Sequence, residues 1–397
     1  MDFFMDKKRL APKHIQKKTG VSPRPDLKLI QALDSVTDPR GASCNFNHPL
    51  TTILFITIVC SLCGADDWEA IVLQANSMKE WFGKFVDMTN GVPCVRTFKR
   101  VFSTLEPRGL ERIQRTLTDL IKEKKSGEVV SFDGKSMRGT SCSEKDLKAI
   151  HMLNAWSHDN GICIGHMKVD DKSNEITALP KLMELLDLKD TIITADALNT
   201  QKETVKKAMN MEADYVLPVK GNHPTLFEEI DTLFKDAEKK DFRGFDGDDY
   251  ETIEKFHGRI ESRKYYSLDA TELPSAVEWE GLQSVGMVIR NRTEKGKTST
   301  EVEYYISSCE IDARLLEKVV RGHWGIENSL HWVLDVTFRE DKLRYRDRVG
   351  AQNLATIRKL VLGVLAKDDT LKCGKKNKRL IAATDPEYRE KVLKLLF

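Results

Sequence analysis

The chain has 397 residues, 40% of them hydrophobic and 31% charged, with a formal net charge of +2. That length suits two or three domains around a sizeable core, and the composition excludes a disordered, collagen-like or disulfide-stapled chain. A charge so near balance also excludes polyanion binding by net charge alone, so any nucleic-acid contact must come from local basic patches.

Taken in order, residues 1–25 are a basic arm built around KKRLAPKHIQKK (Lys7 to Lys18). It lacks the apolar region and cleavage site of a signal peptide. Residues 26–115 read as a helical domain, with helices over Asp26 to Leu33, Pro49 to Cys63, Trp68 to Ala75, Met78 to Val86 and Val95 to Glu106. The last is amphipathic and carries Arg96, Lys99 and Arg100, which suits either DNA contact or a solvated face. The most apolar run, Leu50 to Ala65, falls short of the ~20 residues of a membrane span and reads as a buried helix. Cys60 and Cys63 lie inside it as core thiols, because their C-x-x-C has no second pair at zinc spacing. Eight scattered cysteines fit a reducing compartment. The expectation is a cytoplasmic protein with no membrane segment.

From Val129 the rhythm becomes strand-like. VVSFDGKSM, HMLNAWS and ICIGHMKV read as three strands, the last two joined by a turn at His158 to Gly161. A helix (TALPKLMELLD), a buried strand (TIITADAL), a helix (TQKETVKKAMNM) and a fifth strand (DYVLPVKG) follow. This order predicts an α/β fold, a mixed sheet with helices on its faces, over residues 125–397. After a helix from His223 to Lys240, a strand-rich insertion over about 241–311 includes FHGRIESRKYYSL, VGMVIRNRT and EVEYYISS. Its Gly-Lys-Thr at 296–298 marks a hairpin turn and lacks the rest of a phosphate loop. Basic runs recur at Arg344, Arg346 and Arg348 and at Lys372 to Arg379.

The stretch RGHWGIENSLHWVLDV (Arg321 to Val336) is a helix with more on it than packing needs. His323, Glu327, His331 and Asp335 fall four apart and share one face. Asp133 and Asp196 each follow a buried apolar run, where an acid is costly unless paired or bound to a cation. Two acids on neighbouring strands, completed by Glu327, would offer hard oxygen ligands suited to Mg²⁺ or Mn²⁺. Two such ions, about 3.5–4 Å apart, support phosphoryl transfer. Each acid also has a plainer reading. Asp133 before Gly134 can be a turn residue, Asp196 a helix cap (Asn199 and Thr200 being better placed), and Glu327 a partner of Arg321 or Lys318. A zinc hydrolase using His323, Glu327 and His331 is a further alternative, though the spacing is not H-E-x-x-H.

Several blocks together resemble the DDE transposases of bacterial insertion sequences, specifically the H-repeat-associated group. They are DPRGASCNFNHPLTTILFITIVCSLCGADDWEAI, VPCVRTFKRVFSTLEP, VSFDGKSMRGT, TADALNTQKETVKKAM, DYVLPVKGNHPTLFEEI, HGRIESR and RGHWGIENSLHWVLDVTFRED, spanning roughly residues 36–341. The resemblance implies an RNase H-like core with Asp133, Asp196 and Glu327 as catalytic acids holding two Mg²⁺ ions, Mn²⁺ being an alternative. It implies cleavage at the terminal inverted repeats of a mobile element, strand transfer into target DNA, a homodimer on DNA and a nucleoid-associated bacterial location. A repurposed or inactive DNA-binding relative is the alternative. Related transposases carry Tyr, Arg and Lys around the glutamate, and those positions here hold Val320, His323 and Leu334, with Arg321 as a substitute phosphate contact. Lys135, Arg138, Lys220, Asn222, His257, Arg259, Arg263, Arg321, His323 and Trp324 are the expected DNA-binding residues, Trp324 by stacking on an unpaired base.

Overall fold

The β-branched and aromatic side chains of Val129, Val130 and Phe132 make strand β1 (Glu128–Met137) the natural centre of a sheet, its first half buried on both faces. Strands β2 (Ile150–Ser157) and β3 (Ile162–Lys168) pair antiparallel beside it, while β4 (Thr191–Ala195) and β5 (Asp214–Val219) continue parallel on its other side. The computed structural model describes residues 27–41, 47–142, 147–170, 174–256, 259–343 and 345–397. The basic arm, Cys44, His257 and Arg344 lie outside the described residues.

The insertion does not stand apart from this sheet. Its strands β6 (Gly247–Phe256), β7 (Arg259–Asp269), β8 (Ser284–Glu294) and β9 (Lys297–Ser307) pair antiparallel in series, and β9 pairs with β5. One nine-stranded sheet results, in the order β3-β2-β1-β4-β5-β9-β8-β7-β6. The core order β3-β2-β1-β4-β5, with β2 alone antiparallel to both neighbours, is the RNase H-like arrangement. Lys295 and Gly296 both have positive φ, which makes the β8–β9 connection a tight hairpin turn as the Gly-Lys-Thr segment suggested. Strand β6 went unread in the sequence because its acidic side chains mask the alternation; as a sheet edge it is protected by that same charge.

Helices cover both faces. On one, Ala313–Ile326 lays Ala313, Leu316, Val319 and Val320 on Val129, Ile192, Val216, Val288 and Tyr305, one residue from each of five strands. This helix therefore spans the junction between core sheet and insertion. On the other face, Arg348–Lys367 is almost wholly buried among Leu50–Leu62, Val95–Thr104, Pro107–Ile121 and β3. The helices of 27–121 thus share one hydrophobic core with the sheet. Leu50–Leu62 is the buried helix expected from its apolar run, and burial pushes the Cys63 thiol up to about 11. No helix among the described residues is long and apolar enough to cross a membrane.

Candidate active site and nucleic-acid interface

Alternation along β1 decides which side chains meet the Ala313–Ile326 helix. Ser131 Oγ donates to the Gly322 carbonyl at 3.3 Å, and Lys135 Nζ pairs with Asp335 at 2.7 Å. Asp133 lies between them on the same face. The β1–β4 register ends at Phe132 opposite Ala195, so Asp133 and Asp196 are the next residues on adjacent strands. Neighbouring strands run about 4.8 Å apart, which puts these two acids next to each other where the β1–β4 pairing stops.

Glu327 begins a π-helical turn, Glu327–His331, that interrupts the helix opposite Asp133. Such turns widen the helix by one residue and re-aim side chains. His331 Nδ1 lies 3.5 Å from Asp133 Oδ2 and 3.5 Å from Glu327 Oε2, and the three atoms lie within 4.8 Å of one another. Burial, reinforced by Glu327, pushes the Asp133 carboxyl from its ordinary 3.8 up to about 8. Burial likewise pulls His331 down to about 4, despite the nearby acid. Two carboxylates and a neutral imidazole so placed lack a positive charge, and a divalent cation supplies what that donor set needs. The tight group takes His331 and Asp133 but not His323, so the histidine pair flanking Glu327 is not a zinc ligand set. Arg321 pairs with Glu254 and Glu317, and Lys318 with Asp159, so neither claims Glu327.

Asp196 stands beside this group, outside its tightest cluster. Its Oδ1 accepts from the Asn199 backbone N–H at 3.0 Å and from Asn199 Nδ2 at 2.7 Å, capping the short turn Ala197–Asn199. The expectation that Asn199 or Thr200 caps the next helix is corrected: Lys202–Asn210 starts at Gln201 with no side-chain cap.

The expected DNA contacts fall into three groups. Arg259, Arg263, Arg321 and Trp324 line one cleft of about 700 Å³ between the insertion and the glutamate helix. The same cleft holds Arg290 and Arg292, which the sequence reading missed; the alternation R-N-R within VIRNRT was the available signal. The Arg290 guanidinium lies over the Trp324 ring at 5.1 Å from its centre. A second group follows the acids themselves. Lys220 is exposed beside Glu303, Asn222 Nδ2 donates to the Ala197 carbonyl at 2.8 Å, and Arg138 is exposed. His323 feels both Asp196 and Glu327, its Nδ1 is buried without a partner, and burial lowers its basicity.

Lys135 forms the third group and requires a correction. It is 7% exposed, and its ammonium is held by Asp335 at 2.7 Å and by Glu340 and Asp341 at 3.4 Å each. A cation enclosed by three carboxylates braces the turn after the glutamate helix and does not reach a phosphate. Lys135→Met is accordingly expected to cost about 3–5 kcal/mol of stability, by leaving the buried Glu340 short of charge. Urea unfolding measures the loss, while DNA affinity of the folded fraction stays at the parent value.

The RNase H-like sheet thus carries Asp133 within β1 where its pairing with β4 stops, Asp196 just after β4, and the glutamate helix across them. Family comparison then gives the class. The description "DDE_Tnp_1-associated" matches residues 30–118 and "Transposase DDE domain" residues 124–363. The chain belongs to the DDE transposase family. It is 38% identical over 351 residues to "Putative transposase YncI" of Escherichia coli O157:H7, covering 87% of this chain and 89% of that one. It is 32% identical over 372 residues to "H repeat-associated putative transposase YhhI" of Escherichia coli K12, covering 92% and 97%. A piggyBac transposase synaptic complex with hairpin DNA is similar at a TM-score of 0.42 and 13% identity, over 92% of this chain and 79% of that chain.

Proposed function

We propose that the chain cuts DNA at the ends of a mobile element and joins the freed end to target DNA. The observation that carries this reading is the meeting of Asp133, Glu327 and His331 within 4.8 Å beside Asp196, one helical turn from an arginine-lined cleft. Asp133, Asp196 and Glu327 are the acids that hold divalent cations, with Mg²⁺ or Mn²⁺ as the ion. When bound, two such ions activate an attacking oxygen and stabilise the leaving one. The rest is the work of the chain's own residues. Arg259, Arg263, Arg290, Arg292 and Arg321 bind and orient the DNA backbone leading to it. Arg138 and Lys220 hold phosphates on the open side, and Asn222 braces the loop carrying Asp196. We further propose that two copies act together on paired element ends, in the nucleoid.

Incubating the full chain with duplexes carrying the inverted repeats that bound its reading frame, under Mg²⁺ or Mn²⁺, tests the reading. Strand cleavage at the repeat ends and joined products are expected. Tight binding to those duplexes with no nick under either cation would favour a repurposed DNA-binding protein instead. Trp324, half exposed over Arg290, presents a flat face to an unstacked base at the cut end. Trp324→Ala is expected to weaken binding to a frayed or single-stranded end by about 1–3 kcal/mol, with unfolding shifted by under ~0.5 kcal/mol. Anisotropy titrations against blunt and frayed ends read the difference.

A further inference from the structure

Behind the acids, on the opposite face of β1, lies a second polar assembly that the reaction chemistry does not itself use. Gly134 turns its face away from Asp133, and a Cβ built there would collide with Glu175 Oε1 and His151 Nε2. The glycine after the first acid therefore lies within β1 and makes room for the half-buried Glu175 carboxylate and the His151 ring, rather than forming a turn. Glu175 opens the helix Glu175–Met183, capped by Asn174, which points its carboxylate at the end of the sheet. His151 Nε2 donates to Glu175 Oε1 at 2.6 Å, and His151 Nδ1 meets Ser136 Oγ at 2.9 Å across the β1–β2 pair. The remaining carboxylate oxygen, Oε2, accepts from Asn199 Nδ2 at 3.0 Å. That same amide nitrogen donates to Asp196 Oδ1 at 2.7 Å.

Asn199 is fully buried and its Oδ1 has no partner. Only the two carboxylates orient its amide. Turned the other way, it would set its oxygen against both acids, so the NH₂ group is locked between them. One oxygen of Asp196 is thereby occupied, and the other is left for the site. Ser136, His151, Glu175 and Asn199 form a continuous hydrogen-bonded chain that reaches Asp196 from behind the sheet.

We propose that Glu175, acting through Asn199, is a positioning residue that fixes the Asp196 carboxylate for cation binding. The proposal rests on the reading of Asp133, Asp196 and Glu327 as a cation site. Partners that hold a metal's ligands from outside are worth about 10–100-fold in affinity. The test is Mn²⁺ binding to the full-length, DNA-free protein, read as free Mn²⁺ by electron paramagnetic resonance. The rise in unfolding temperature on adding Mn²⁺ is measured beside it.

Asn199→Ala and Glu175→Ala are each expected to weaken Mn²⁺ binding about tenfold and to shrink the Mn²⁺-induced rise. Because both cut one chain, the double variant should bind no more weakly than either single one. Glu175→Gln keeps an acceptor for Asn199 and should restore most of the affinity. Parent-like Mn²⁺ binding by Asn199→Ala and Glu175→Ala would overturn the proposal, as would losses that add in the double variant. If Glu175→Ala does not fold, Asn199→Ala decides alone. Should the parent bind no more Mn²⁺ than Asp133→Ala does, the cation site itself fails; that outcome is distinct from an intact site indifferent to Glu175.

Discussion

Asp133→Ala is expected to lower cation-dependent strand cleavage by more than about 10³-fold, equivalent to about 4 kcal/mol of transition-state stabilisation, while leaving end binding within about twofold. Asp133 is next to Asp196 in the register of adjacent strands, and its carboxylate gathers with Glu327 and His331 within 4.8 Å, so it is the acid that would help to hold a bound cation from the centre of the group. The cleft arginines sit on other elements and do not contact it, so binding and cutting should separate cleanly. Cleavage at the parent rate by this variant would remove the acids from the chemistry. A nicking assay under Mg²⁺, with anisotropy on the same duplex, reads both quantities.

The same residue gives a pH signature. Its folded-state pKa of about 8 lies above the ordinary 3.8. Between those values the folded protein holds a proton that the unfolded chain releases. Metal-free stability therefore falls as pH rises from about 4 to about 8, and below about 4 the penalty is absent. Each pKa unit realised is worth about 1.4 kcal/mol, so a fraction of the shift is measurable. Unfolding in EDTA at pH 5 and pH 8 should show the decline, and Asp133→Asn should flatten it. A divalent cation displaces that proton, so added Mn²⁺ should stabilise more at pH 8 than at pH 5.

Much of this site was legible because its acids interrupt regular patterns. Asp133 and Asp196 break apolar strands, and Glu327 breaks a helical stripe; each departure costs free energy and so marks a reason. The four-residue spacing of His323, Glu327, His331 and Asp335 also foretold a single working face. What spacing did not show was the division of labour along it, since His331 turns to Asp133, Asp335 to Lys135, and His323 toward Asp196. The π-helical turn that separates these roles leaves no periodic mark. Lys135 misled because a lysine beside an acid reads alike whether it faces solvent or three carboxylates brought in from Asp335, Glu340 and Asp341. Glu175 and His151 were invisible for a related reason: their significance lies in Gly134, whose missing side chain is space rather than a signal. Strand β6 was lost to its own charge, and with it the Glu254 that binds Arg263 and Arg321.

Those glutamates shape the other large expectation, which concerns the arginine cleft. Its lining sets five arginines against Glu261 and Glu301, with Glu254 and Glu303 close behind. Arg263 and Arg290 stand directly opposite each other across β7 and β8, an arrangement that like charges tolerate only with acids interleaved. The free protein thus holds its guanidinium groups in ion pairs: Arg263 and Arg290 are largely enclosed around the buried Glu261, while Arg259, Arg292 and Arg321 are more open and their pairs are worth little each. A DNA backbone can draw on the more open of them, because a phosphate competes well for a forked guanidinium donor. Each arginine that transfers releases a counterion and adds about 0.9 to the slope of log affinity against log salt. The double variant Arg290→Ala/Arg292→Ala should therefore flatten that slope by nearly 2 and weaken end binding by about 10–100-fold near 100 mM salt. Its stability should fall by about 0.5–3 kcal/mol, since Arg290 is largely enclosed among Glu261, Glu301 and Glu303, so DNA affinity is read on the folded fraction. Arg243→Ala, exposed and away from the cleft, should change neither quantity. An unchanged slope in the Arg290/Arg292 variant would mean that DNA runs along a different face, and that the cleft's charge serves only to hold β6 to β9 together.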